Sequence, residues 1–449
     1  MIAKLLIANR GEVAVRIIRA AREMGIPTVA VYSEIDRDSL HVRLADEAVC
    51  IGPAPSASSY LVAANIIMAA KGTGATHIHP GYGFLAENAE FARTCEREGL
   101  TFVGPSPEAI DSMGNKARAR QTAAAAGVPV VPGSDGPVDS VEDALAFAEH
   151  AGFPLLVKAS AGGGGKGMRV AVDAADLANQ YPAARNEARA AFGDDTVYIE
   201  RYIGRPRHIE IQLLADGHGN AVHLFERDCS IQRRHQKLVE EAPSAALDPA
   251  TREAMGTAAV SLARAVDYRG AGTVEFLLDE DGSYYFMEMN TRVQVEHPVS
   301  ELISGVDIIK EQLRVAAGLP LSKPTQDDVV LRGHAIEFRI NAEDPSANFR
   351  PAPGTITHIN WPGGPGVRVD SHVFSGYTVP PTYDSLIGKL IVWGDTRDEA
   401  IARGERALRE LEVVGIPTTA DFHGLVLASE AFRAGEVYTD YIERHFSHL

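Results

Sequence analysis

The chain has 449 residues, 45% of them hydrophobic and 23% charged, and a net charge of −17. At ~100–200 residues per domain it is long enough for several cores, and its acidity excludes broad electrostatic capture of nucleic acid or an acidic membrane. No apolar run approaches the ~20 residues of a membrane span, and the start MIAKLLIANRGEVAV lacks a secretion signal's shape. Three scattered cysteines, Cys50, Cys95 and Cys229, exclude a disulfide framework and a CxxC metal site. A reduced, cytoplasmic, multidomain enzyme is expected.

In chain order, Ile2–Ala8 reads as a buried strand, and Glu12–Met24 as an amphipathic helix with Val13, Ile17, Ala20, Ala21 and Met24 on one face. Gly25 and Pro27 end it, and Thr28–Tyr32 is a second strand. Strand–helix–strand order predicts a parallel, doubly wound sheet. The first turn, Asn9-Arg-Gly-Glu12, has one glycine where a dinucleotide fold needs GxGxxG, so a nicotinamide or flavin site is excluded even with Glu34 after the second strand. The predicted layout is a Rossmann-like N-terminal domain over 1–114, a linker helix over 115–130, a glycine-loop lid over 131–203 and a larger C-terminal domain over 204–449, α/β followed by α+β. A helix from Asp398 to Leu411, opened by a Thr396/Glu399 capping box, belongs to the last part.

The strongest local anomaly is Lys158-Ala-Ser-Ala-Gly-Gly-Gly-Gly-Lys166-Gly, with five glycines among residues 162–167. Glycine frees backbone N–H groups to wrap phosphates, and two lysines flank the run. It is not a P-loop, because no Ser or Thr follows Lys166 and a strand-like run follows in place of a helix. Strand, loop and strand predict a hairpin able to close over a nucleotide.

A second hairpin runs from Gly272 to Asn290. With Asp281-Gly282 as a two-residue turn, residue 280 faces 283 and Glu275 faces Glu288 on one side of the sheet. Like charges directly opposite destabilise a sheet unless a cation bridges them. Asn290 adds a third oxygen, and hard oxygen ligands without His or Cys point to magnesium or manganese. If the strand persists, Arg292, Gln294 and Glu296 continue the same polar row, with Val293 and Val295 opposite; Arg292 then offers a fork for an oxyanion and Glu296 a base. Arg227–Lys237 is locally basic, which suggests an anion site, and His334–Asn341 alternates with Arg339 on its polar face. Cys229 has no orienting base beside it, and His77 and His79 read as structural.

The motifs KASAGGGGKGMR, ERDCSIQRRHQK, GTVEFL, FMEMNTRVQVEHPV, FRINAEDP and PPTYDSLIGKLIV, with IANRGEVAVRIIRAA and IHPGYGFLAEN, resemble the biotin carboxylase family over essentially the whole chain. The resemblance implies a three-domain ATP-grasp architecture with a mobile glycine-loop lid. It also implies the first half-reaction of acetyl-CoA or another acyl-CoA carboxylase: Mg-ATP and bicarbonate carboxylate biotin on a separate carrier. Position by position it assigns Lys116, Lys158, Gly164 and Gly165 to ATP phosphates, and Glu200, Tyr202 and Ile203 to the adenine. His208 and His235 lie near the ribose in this assignment, with Gln232 close by. The metals, magnesium or manganese, fall to Glu275, Glu288 and Asn290. Bicarbonate falls to Lys237, Arg292, Gln294, Val295 and Glu296, and Arg339 faces bicarbonate and biotin. Lys166 stands where the family often has Arg.

By the same resemblance, the partners are a biotin carboxyl carrier protein and carboxyltransferase subunits, and a homodimer is expected. The Ala-Met-Lys-Met signature of a biotinylated lysine is absent, so biotin is expected on another chain. A carbamoyl-phosphate synthetase-like ligase is the nearest alternative, but its internal repeat is missing. A silent nucleotide-binding subunit is the alternative from another class, against which the intact carboxylates, Arg292 and Glu296 argue.

Overall fold

A computed structural model describes residues 2–134, 136–159 and 168–447. The chain divides into two compact units. Unit 1 comprises Met1–Val128, Arg207–Leu277 and Glu288–Leu449; unit 2 comprises Pro129–Pro206 and Leu278–Met287. No helix among the described residues is long and apolar enough to cross a membrane.

Unit 1 opens with a five-stranded parallel sheet of β1 (Leu5–Ile7), β2 (Thr28–Ser33), β3 (Glu47–Gly52), β4 (His77–His79) and β5 (Thr101–Phe102), in the order β3-β2-β1-β4-β5. This is the doubly wound arrangement that the strand–helix–strand pattern predicts. The helix Gly11–Glu23 buries Val13, Ile17, Ala20 and Ala21 against Leu5 and Ile7, but Glu12 and Arg16 are buried too, because neighbours cover both of its sides. Asn9 sets the entry to that helix: its amide donates to the carbonyls of Pro80 and Tyr82, both at 2.7 Å, and its oxygen accepts from Arg10 N–H. Gly81, at φ +63°, fits beneath it where a Cβ would lie 2.8 Å from Asn9 Nδ2.

Unit 2 carries a three-stranded antiparallel sheet of β6 (Leu155–Ala159), β7 (Met168–Ala171) and β8 (Val197–Arg201), ordered β7-β6-β8. β6 and β7 pair with Leu155 opposite Ala171 and Lys158 opposite Met168, giving the expected hairpin flanks of the glycine run. Gly164, Gly165 and Lys166 themselves lie outside the described residues.

Apart from six short strands in two-stranded sheets, the remaining strands are β9 (Arg207–Ala215), β10 (Ala221–Arg233), β11 (Gln236–Ala242), β12 (Gly270–Leu278), β13 (Tyr284–Asn290), β14 (His334–Asn341), β15 (Val367–Ser371) and β16 (Leu386–Gly394). They form one eight-stranded sheet in the order β13-β12-β9-β10-β11-β14-β16-β15. Its β14 and β16 strands pack Ile336, Phe338, Leu390 and Val392 against the helices Arg397–Glu410 and Ala420–Ala428. Thr396 caps the first of these through Glu399 N–H, but Glu399 returns its carboxylate to Asp395 N–H, so the capping box is not reciprocal.

A buried ion pair ties the two ends of unit 1 together. Arg10 donates two bonds to Asp36, at 2.7 and 2.8 Å, while lying 4.2 Å over the Tyr383 ring. Tyr60 O–H adds a third bond to Asp36 at 2.6 Å, and Tyr383 O–H meets Ser33 Oγ at 2.6 Å. Burial alone would raise the Asp36 carboxyl, but Arg10's hydrogen bonds and charge outweigh it and bring the pKa down to about 2. With the folded value below the unfolded one, the pair's contribution is fully present above pH ~4 and is lost as pH falls through ~2; it is worth ~2 kcal/mol. Asp36→Ala leaves Arg10 buried without its counter-charge and is expected to cost ~3–5 kcal/mol. Urea unfolding at neutral pH checks this, and a loss below 1 kcal/mol counts against the assignment.

Candidate active site

The β10–β11 hairpin places the central cation. Its two-residue turn is Arg234-His235, with φ of +49° and +66°, and Arg233 pairs with Gln236 across it. Asn-Gly normally fills such a turn, so two ordinary side chains here hold a strained backbone. From β11, Lys237 Nζ reaches three buried carboxylates: Glu210 at 2.5 Å, Glu296 at 2.7 Å and Glu275 at 3.0 Å. Burial would discharge the ammonium, but Glu210, Glu275 and Glu296 outweigh it and hold Lys237 well above the ordinary lysine value. Arg227 on β10 is completely buried and donates to Glu210 at 2.5 Å, Gln212 at 2.6 Å, Ser300 at 2.9 Å, Thr273 at 3.2 Å and Gln294 at 2.6 Å. The basic stretch over 227–237 is therefore not an open anion patch. Its first and last cations are consumed by carboxylates of the same unit.

The metal-ligand candidates share this cluster. Asn290 Nδ2 and Gln294 Nε2 donate to Glu275 Oε1 at 2.9 and 2.8 Å, and His208 Nε2 lies 3.0 Å from Glu275 Oε2. Burial works to raise the Glu275 carboxyl, but Lys237 and then His208 bring it well below the usual range. Glu288 behaves oppositely: burial and then the charge of Glu275 raise it, only partly offset by Lys116 at 3.7 Å. Two interacting carboxylates with an amide oxygen beside them fit a hard divalent cation, which would relieve that repulsion. The turn differs from expectation. Asp279 N–H donates to Ser283 O and Gly282 N–H to Asp279 O, so residues 280–282 form a three-residue loop closed by Gly282 at φ +84°. Ser283 thus faces Asp279 rather than residue 280, and the register counted from a two-residue turn fails at the turn itself.

The row beyond Asn290 is also a correction. β13 stops at Asn290; residues 291–296 bend, and a helix begins at His297, with Pro298 in its first turn. Arg292, Gln294 and Glu296 therefore do not form a strand face. Pro298 cannot donate to a ladder but is at home in a helix's first turn. Arg292 donates to Glu87 Oε2 at 2.9 Å and Asn290 Oδ1 at 2.8 Å. Val295 presents its carbonyl to Lys389 Nζ at 2.7 Å. Glu296 accepts from Lys237 and, at 2.9 Å, from Arg339, whose Nε donates to Glu240 at 2.6 Å. Burial would raise Glu296, but Lys237, Arg339 and Arg227 hold it well below the usual range.

The remaining candidates are spread over both units. In unit 1, Lys116 opens the helix Lys116–Ala125, Gln232 pairs with Lys237 in the ladder, and His235 is exposed at the turn. Gln232 and His235 make no hydrogen bond to the carboxylate cluster among the described residues. In unit 2, Lys158 lies 3.4 Å from Glu200, Tyr202 N–H donates to Pro154 O at 3.0 Å, and Ile203 is buried. Cys229 is fully buried with its thiol pushed far up by desolvation, and His77 and His79 are buried, as expected of structural residues.

Sequence reasoning missed Glu87, Glu210, Glu240 and Lys389, and read Arg227 only as part of a basic stretch. One signal was available: in RHIEIQLL, His208, Glu210 and Gln212 alternate with Ile and Leu, marking a polar face inside a core strand.

Comparison with known proteins gives relatives along nearly the whole chain. Residues 1–110 match the model of the biotin carboxylase N-terminal domain, 115–324 that of the carbamoyl-phosphate synthase L chain ATP-binding domain, and 337–444 that of the biotin carboxylase C-terminal domain. Biotin carboxylase 1 of Bacillus subtilis is 59% identical over 446 residues, covering 99% of both chains. The crystal structure of a biotin carboxylase–β,γ-ATP complex from Campylobacter jejuni superposes with a TM-score of 0.92 at 49% identity, covering 99% of each chain. The biotin carboxylase domain of the Hydrogenobacter thermophilus 2-oxoglutarate carboxylase, a dimer in complex with MgADP, ADP and bicarbonate, gives 0.90 at 50% identity, covering 99% of this chain and 98% of that one. With relatives this similar along nearly its whole length, and with an ATP-grasp layout to match, the chain belongs to the biotin carboxylase family.

Proposed function

We propose that this enzyme carboxylates biotin on a separate carrier chain, using bicarbonate and ATP through carboxyphosphate, as the first half-reaction of an acyl-CoA carboxylase. The observation that carries the reading is the Glu296 carboxylate gripped between Lys237 and Arg339. The same reading makes the protein a cytoplasmic homodimer working with a biotin carboxyl carrier protein and carboxyltransferase subunits. The domain limits stated from the sequence, 1–114, 115–130, 131–203 and 204–449, go with it.

In the free protein Glu296 is a weak base because Lys237, Arg339 and, behind them, Arg227 hold it ionised. Bicarbonate is an anion and competes for the same donors. When it takes hydrogen bonds from Lys237 and Arg339, Glu296 loses its stabilising charges and its proton affinity rises. The substrate itself thus switches on the base that removes its proton. Arg292 offers a bidentate fork to the resulting anion, and Gln294 and the Val295 backbone bound its seat. Lys116 and Lys158, with Gly164 and Gly165, hold the ATP phosphates; Glu200, Tyr202 and Ile203 hold the adenine; and His208, Gln232 and His235 lie by the ribose. A divalent cation on Glu275, Glu288 and Asn290 supplies charge neutralisation for the transferring phosphoryl group. Once carboxyphosphate breaks down to CO2 and phosphate, the phosphate accepts the ureido N–H proton of biotin and Arg339 stabilises the enolate-like oxygen. The freed nitrogen then attacks CO2.

Three substitutions test these roles. Glu296→Gln removes the base and is expected to lower kcat about 10²–10⁴-fold while bicarbonate still binds, as measured by bicarbonate-dependent ADP release. Glu288→Gln is expected to raise the magnesium requirement by more than the roughly 10–100-fold that loss of an outer partner costs, without loss of fold, since it also relieves repulsion from Glu275. Near-wild-type turnover at low magnesium would rule that ligand out. Arg339→Ser is expected to impair biotin carboxylation more than bicarbonate-dependent ATP cleavage; equal losses would place Arg339 in phosphoryl transfer or in folding instead.

A further inference from the structure

Behind Arg339 lies a pair of acids that the reaction above does not use. Glu240 on β11 and Glu337 on β14 stand directly opposite each other in the antiparallel ladder, and both are completely buried. Direct cross-strand neighbours share one face, so the two carboxyls are side by side. Glu240 Oε1 accepts from Arg339, but Glu240 Oε2 and both oxygens of Glu337 accept no hydrogen bond from any described residue. Three buried, unpartnered carboxyl oxygens on adjoining side chains cannot all carry anionic charge cheaply.

The surroundings do not supply the missing positive charge. Arg339 and Lys389 are cross-strand neighbours on β14 and β16 and are the cations on this face. Arg339 is already shared between Glu240 and Glu296. Lys389 is committed to Glu12 at 3.2 Å, from the helix Gly11–Glu23, and to the Val295 carbonyl at 2.7 Å; Tyr82 O–H also bonds Glu12. Lys237, on β11, is divided among Glu210, Glu275 and Glu296. Asp370, on β15, adds a further negative charge near Lys389.

We propose that Glu240 and Glu337 hold one proton between them at neutral pH, and that this proton lets Arg339 give the pair only its Nε–H, to Glu240, and keep its other N–H groups for Glu296 and the substrates. Burial outweighs each nearby charge and lifts both carboxyls: Glu240 to about 7, with Arg339 opposing, and Glu337 well above the usual range, with Lys389 opposing and Glu240 reinforcing. Ionising the second carboxyl would set two full negative charges beside one guanidinium. Arg339 would then neutralise the pair in preference to the enolate oxygen, so Glu337 acts as a positioning residue through Arg339. The role given to the proton rests on the carboxylation reading; the proton itself does not.

Infrared difference spectroscopy on the full chain without ligand separates the two. Glu337→Gln minus wild type at neutral pH is expected to lose the C=O stretch of a protonated carboxylic acid; loss of a carboxylate stretch instead would overturn the proposal. Should the glutamine variant fail to fold, Glu337→Leu, which asks nothing of its neighbours, is read in the same way. Stability gives a second readout. A folded-state pKa above the unfolded one makes wild type lose stability as pH rises from ~4.5 through the folded value, whereas Glu337→Gln lacks that loss. The variant is therefore expected to gain on wild type with rising pH, and a constant difference would overturn the shared proton. For the role, wild-type biotin carboxylation is expected to fall on the alkaline side more steeply than bicarbonate-dependent ATP cleavage, with the difference abolished in Glu337→Gln. Parallel profiles in both proteins would remove Arg339 positioning while leaving the infrared result to stand or fall alone.

Discussion

One ammonium group organises the site. Lys237 carries a single positive charge, yet three buried carboxylates converge on it within 3.0 Å. Removing three anions and one cation from water costs far more than one ion pair returns, so the arrangement holds only because other donors complete it. Arg227 takes the free side of Glu210, Asn290 and Gln294 donate to Glu275, and Arg339 takes Glu296. Each of these partners comes from a different strand or loop. The sheet order that brings β12, β9, β10, β11 and β14 side by side is what lets them meet.

That network leaves the free protein under-neutralised, and the deficit is matched to the ligands. Glu288 sits raised by burial and by Glu275, which a divalent cation would correct. Arg339 and Lys237 hold Glu296 ionised until another anion arrives. On the function proposed above, this favours an enzyme that generates an intermediate prone to hydrolysis, because a base at Glu296 would become competent only when the acid it deprotonates is in place. The constraint is electrostatic and needs no movement of the backbone.

How much of this was legible in the sequence follows from what sequence patterns encode. A continuous apolar run found β1, helical spacing the helix after it, and alternation β14, because period and burial are local properties. The hairpin register at the turn was misjudged because Asp281-Gly282 is compatible with both a two-residue turn and the last two positions of a three-residue loop; Gly282 supplies the positive φ in either. The row from Arg292 to Glu296 alternates as a strand would, but Pro298 two residues on was the signal that a helix was about to start. Glu240 and Lys389 were invisible because a buried charged residue has the same sequence appearance as a solvated one, and Arg227 showed only as part of a basic stretch. Lys389, alone in the apolar run LIGKLIV, came nearest to declaring itself.

The pairing of Arg10 with Asp36 beneath Tyr383 has a consequence for how such a chain can be recombined. The residues that flank the first helix are satisfied by aromatic groups more than 300 positions later, at Tyr377 and Tyr383. A chimera that exchanged the first hundred residues with those of a relative would inherit a guanidinium shaped for someone else's rings. Grafts are therefore expected to succeed only when the N-terminal sheet travels together with the segment around PPTYDSL, so the inheritable module is discontinuous in sequence although continuous in space.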